Sequence, residues 1–78
     1  MSLWAGSNGD VYASIFSGQV LKRISLEGDV ETVLRLDGEW SPVGGTQAKD
    51  GTLYVLEWST SNDVRIRRIL ADGREEIL

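Results

Sequence analysis

Asn8-Gly9-Asp10-Val11-Tyr12-Ala13 returns 42 residues later as Asp50-Gly51-Thr52-Leu53-Tyr54-Val55. Two more blocks repeat in the same order. Leu21-Lys22-Arg23-Ile24 matches Ile66-Arg67-Arg68-Ile69 at an offset of 45, and residues 27–34 match residues 71–78 at an offset of 44. Blocks that keep order, spacing and turn residues together mark a chain built from copies of one supersecondary unit. The copies are assigned to residues 1–38 and 39–78. The step from 42 to 45 falls between the first and second blocks, so the second copy is expected to carry a longer loop there.

Within each copy, short runs of β-branched, aromatic and aliphatic residues alternate with glycine turns. Strands are expected at residues 2–6, 11–15, 20–26 and 30–34, and again at 44–48, 53–58, 64–70 and 74–78. Gly9-Asp10, Gly28-Asp29, Asp50-Gly51 and Asp72-Gly73 read as tight turns between them. No segment shows sustained helical periodicity with caps. The class is all-β, with two four-stranded antiparallel units. If Glu57 lies opposite Arg65, Val55 faces Arg67 and Leu53 faces Ile69; in the first copy Ile15 faces Val20, Ala13 faces Lys22 and Val11 faces Ile24. Apolar side chains then fall on both faces of the first sheet, Val11, Ile15 and Ile24 on one and Tyr12 and Leu21 on the other. A sheet covered on both sides has this pattern, whereas a sheet with one wet face does not.

The bulk properties narrow the chemistry. The chain has 78 residues, a net charge of −4, no cysteine and no histidine. No disulfide or thiolate chemistry is available, and the commonest general base and transition-metal ligand is missing. The acidic balance argues against a nucleic-acid partner, which calls for a basic stripe. No apolar run is long enough to span a membrane as a helix. Met1-Ser2-Leu3 is followed by glycine and acid rather than by a basic region and an apolar run, so it does not read as a signal peptide. The residues do not indicate a compartment.

The second copy supplies a family resemblance. Trp40-Ser41-Pro42-Val43-Gly44, Asp50 to Glu57, Val64 to Ile69 and Ala71-Asp72-Gly73-Arg74 together resemble an NHL repeat. That pattern has a Pro-x-Gly opening, an Asp-Gly-x-x-Tyr-Val-x-acid strand, an Arg-x-x-x-Ile strand and a closing Asp-Gly turn. Glu57 stands at its acid and Arg65 at its arginine. The first copy matches more loosely, with Ile15 and Val20 at those two positions, and Met1 aligns with Val43 so that its Pro-x-Gly opening is missing. The resemblance implies two consecutive blades of a β-propeller, related to the six-bladed gluconolactonase-like and strictosidine-synthase-like propellers. It implies no activity by itself. Two blades do not close a ring, so the chain is expected either to be a fragment of a longer propeller or to self-associate, three two-bladed chains completing six blades.

The candidate functional residues are few. Glu57 and Arg65 form a structural ion pair that fixes strand register. No catalytic residue is assigned, because no histidine, second acid or oxyanion donor can be named beside Glu57. Asp10, Asp29, Asp37, Asp50, Asp63 and Asp72 sit at turns, where aspartate is favoured by local geometry. Calcium is the one cofactor such oxygens could hold, although no Asp-x-Asp-x-Asp-Gly loop is present. Lys22, Arg23, Arg65, Arg67 and Arg68 are expected to lay their stems over neighbours and send their charges to water rather than form an anion patch. Trp4, Trp40 and Trp58 are expected to fill gaps between blades or, lacking neighbours, to form exposed docking surface where a further blade or a protein partner would sit. Serines 14, 17, 25, 41, 59 and 61 have no partner base. The expected function is a non-catalytic repeat scaffold for protein or ligand binding. The alternatives are a fragment of a propeller hydrolase or lactonase whose metal ligands lie mostly in other blades, and a small free-standing β domain.

Overall fold

A computed structural model describes residues 1–78. Eight strands follow one another: β1 (Ser2–Ala5), β2 (Val11–Ile15), β3 (Val20–Ile24), β4 (Val30–Arg35), β5 (Trp40–Gln47), β6 (Leu53–Ser59), β7 (Val64–Ile69) and β8 (Glu75–Ile77). They form two four-stranded antiparallel meanders, β1-β2-β3-β4 and β5-β6-β7-β8. The chain contains no helix, and its two sheets do not close a ring.

The turns are built on one plan that explains the glycines. Gly51 N–H closes a turn on the Ala48 carbonyl, and Ala48 N–H then bonds the Thr52 carbonyl. The same two bonds recur at 25–29, 59–63 and 70–74. This is a type I turn followed by one left-handed residue. That residue is Gly28 (φ 92°), Gly51 (φ 93°) or Gly73 (φ 94°), and in the 59–63 turn it is Asn62 (φ 65°). The connections are therefore wider than the two-residue turns expected from the Asp-Gly dipeptides.

The registers of both central hairpins are those read from the residue pattern: Val11↔Ile24, Ala13↔Lys22 and Ile15↔Val20 in one, Leu53↔Ile69, Val55↔Arg67 and Glu57↔Arg65 in the other. The extra residues of the second copy do not lengthen a loop, however. The β2–β3 and β6–β7 connections have the same span, residues 16–19 and 60–63, and the additional residues extend β6 and β7. A longer ladder satisfies backbone groups that a longer loop would leave to water. β5 also begins at Trp40 rather than at residue 44. Pro42 is accommodated because the β5–β6 register shifts between Pro42 and Gly44, a bulge where the missing N–H breaks no ladder bond.

Each sheet has two distinct faces, and register repeats them. On one face the rows Tyr12↔Arg23↔Glu31 and Tyr54↔Arg68↔Glu76 cross three strands in the same way. On the other, Val11↔Ile24 corresponds to Leu53↔Ile69. We call these the tyrosine face and the aliphatic face. The core joins the tyrosine face of the first sheet (Tyr12, Leu21, Leu34, with Trp4) to the aliphatic face of the second (Leu53, Val55, with Ile69). The sheets thus stack front to back, like successive members of a repeat, rather than face to matching face.

Candidate functional site: the Glu57 cluster and the open sheet faces

Glu57 is the most enclosed charge in the chain, with no exposed side-chain surface. β6 points it into the stacked layer between Val55 and Ser59, which are also fully buried. The Arg65 Nε donates to its Oε1 at 2.6 Å, and the Arg67 Nε donates to its Oε2 at 2.6 Å. Arg67 also donates to Glu75 Oε1 at 2.8 Å, and the Arg65 guanidinium lies 3.9 Å from the centre of the Trp40 ring. A buried carboxylate persists only when its lone pairs are taken up by such donors. Burial draws the Arg67 pKa down, but the hydrogen bonds and charges of Glu57 and Glu75 outweigh it and hold it above the usual arginine value.

The structure brings Glu57 and Arg65 together, the pairing expected from sequence. Arg67 was missed as the second partner because it stands opposite Val55. Diagonal neighbours on one sheet face lie within reach of long side chains, and that rule applied to Glu57 would have found it. Arg68 and Arg23 are also paired, while about a third of each side chain stays exposed. Arg68 bonds Glu76 at 2.8 and 3.0 Å, and Arg23 bonds Glu31 and lies 3.8 Å from Asp10. Glu76 raises the Arg68 pKa above the usual arginine value through that hydrogen bond and its charge. Lys22 bonds the Thr32 hydroxyl at 3.0 Å.

The tryptophans, expected either to fill gaps or to form docking surface, are each half-buried and engaged within the chain. Trp4 stacks on Tyr12 with ring centres 4.6 Å apart and planes 16° from parallel, and its indole N–H points to Ser14 Oγ at 3.5 Å. Trp40 lies under Arg65, and Trp58 packs against Phe16 at 5.6 Å. The surface left open is aliphatic instead. Leu3 (66% exposed), Val11 (38%) and Val30 (60%) lie on the aliphatic face of the first sheet, and Leu56 (38%) lies beside Tyr54 on the tyrosine face of the second.

The turn carboxylates act locally. Asp50 Oδ1 accepts the Thr52 N–H at 3.0 Å, and Asp72 Oδ1 accepts that of Arg74 at 3.0 Å. The Thr52 backbone N–H, helped by its hydroxyl, pulls the Asp50 pKa below the usual carboxylate value. Asp29 and Asp63 contribute their backbone groups to turns closed by Ser25 and Ser59. No three acidic side chains converge on a common point. Ser59 Oγ accepts two backbone N–H groups, and Ser61 Oγ donates to Glu39 at 2.8 Å. A cleft of about 200 Å³ opens between the sheets at Met1, Ser2, Ser14, Phe16, Pro42 and Val43, and its only polar side chains are the Ser2 and Ser14 hydroxyls. Every buried polar side-chain atom has a partner. Comparison with protein-family models, with curated proteins and with solved structures gives no match to this chain.

Proposed function

We propose that this chain is a non-catalytic repeat scaffold, two consecutive blades of an NHL-like β-propeller whose work is to present surfaces for assembly and binding. The observation that carries the reading is the front-to-back stacking of two equivalent sheets, which buries one face of each and leaves Leu3, Val11, Val30 and Leu56 exposed on the opposite pair. The one fully buried acid supports it, because Glu57 is neutralised by two guanidiniums and holds no free oxygen toward a cleft. Catalytic sites, by contrast, tend to hold acids and bases in reserve, with pKa values matched to proton transfer. In a propeller these two sheets would be neighbours in a ring, and three such chains would supply six blades.

The test is a paired screen of the purified chain against lactone and ester substrates and against calcium and zinc in thermal unfolding. The scaffold reading expects neither turnover nor a metal-dependent rise in Tm. Turnover that requires one of these ions, with stabilisation by the same ion, overturns it in favour of a hydrolase.

A further inference from the structure

We infer that the open tyrosine face of the second sheet is covered by the open aliphatic face of the first sheet of a second copy of this chain, which repeats between copies the contact made within one. The inference rests on the scaffold reading and assigns its partner. Tyr12 and Tyr54 occupy the same place in their sheets, each in a row with an arginine and a glutamate. Tyr12 is 1% exposed because an aliphatic face lies over it, whereas Tyr54 is only half-buried and the neighbouring Leu56 is 38% exposed. The one aliphatic face left free belongs to the first sheet, with Leu3, Val11, Ile24 and Val30 upon it.

Side-chain volumes support the same pairing. Within the chain the large Trp4 meets Gly45, where a Cβ would stand 2.7 Å from the indole. In the repeat Trp4 corresponds to Thr46, and Gly45 corresponds to Leu3. The next contact therefore sets a small residue, Thr46, against a large one, Leu3. Large against small has become small against large, so the layer can be filled again. The Arg68–Glu76 pair is already neutralised, and Arg23–Glu31, its equivalent within the chain, stays at the exposed margin of the contact. A contact between two different faces is heterologous, so it propagates until a ring closes.

Because the chain has no cysteine, single Leu3→Cys and Thr46→Cys variants give a clean trap. Both positions are exposed. Mixed in equal amounts and oxidised gently, they are expected to form 3–46 disulfides in preference to 3–3 and 46–46. The preference must exceed random pairing, in which the 3–3, 3–46 and 46–46 products stand at roughly 1:2:1; that random ratio, or no cross-link at all, overturns the inference. A second measurement uses Val11→Glu and Leu56→Glu, one blocking each face. Each alone is expected to be monomeric with an unchanged β-sheet circular dichroism spectrum, and their mixture to double in mass and stop there. Oligomers from either variant alone, or a mixture that stays monomeric, overturn it; if a glutamate variant loses the sheet spectrum, Val11→Thr and Leu56→Thr replace the pair. Metal-dependent turnover in the earlier screen would defeat the scaffold reading while leaving these cross-links intact, so the two failures are distinct.

Discussion

Arg67 donates from its Nε to the buried Oε2 of Glu57 at 2.6 Å, although register sets it opposite Val55. It reaches past its own cross-strand partner to satisfy the acid on the diagonal. Arg65, directly opposite, takes the other oxygen. Glu57 is fully buried, so truncating it to alanine removes the counter-charge of two partly buried guanidiniums at once. We expect Glu57→Ala to cost about 3 kcal/mol in chemical denaturation. Double-mutant cycles should give a larger coupling to Arg67, whose side chain is 15% exposed, than to Arg65 at 26%, because solvent screens the second more. The opposite order would mean that direct opposition, rather than burial, governs the cluster.

Two adjacent glycines of β5 should respond in opposite ways. A Cβ on Gly45 would meet the Tyr54 carbonyl at 2.5 Å and the Trp4 ring at 2.7 Å, while one on Gly44 would meet nothing within 4 Å. Gly45→Ala is expected to destabilise by about 1–3 kcal/mol through overpacking and to change the near-ultraviolet signal of the Trp4–Tyr12 stack. Gly44→Ala should change stability by less than about 0.5 kcal/mol. Equal effects would mean that Trp4 is not seated on Gly45.

Asp50 supplies a pH signature. Its folded pKa lies below the ordinary aspartate value, first because of the Thr52 backbone N–H and then because of the Thr52 hydroxyl. A depressed acid stabilises the fold above its unfolded pKa, and that contribution is lost as pH falls through the folded value. A carboxyl-carbon NMR titration should therefore place Asp50 below 3.8. Asp50→Asn should flatten the acid limb of the stability curve, since the amide oxygen can still accept the Thr52 N–H while carrying no charge. An Asp50 that titrates at or above its ordinary value would rule out this capped-turn geometry.

Much of the architecture is legible in the residues because turn chemistry and cross-strand pairing are local. Asp50-Gly51 and Asp72-Gly73 set where hairpins reverse, and the Glu57–Arg65 pair sets register between them. β5 was less legible. The strand was expected to begin at Gly44, after the Pro-x-Gly opening, but it runs from Trp40 with a bulge beside Pro42. The facing of the sheets was not legible at all, since alternation shows that Tyr12 and Val11 lie on opposite faces without showing which is covered. Which of their two expected roles the tryptophans take was not legible for a related reason. A large aromatic suits a docking surface and an internal gap equally well, and Gly45, which makes room for Trp4, is distant in sequence.

The most direct measurement is solution mass by light scattering after size exclusion, across a wide range of concentration. Front-to-back sheets with one face of each kind left open should associate, and under the proposed propeller reading the mass is expected to rise from 8.6 kDa to a plateau at three times that value as three chains close a ring. A single 8.6 kDa species at every concentration, folded and cooperative in unfolding, would contradict the account.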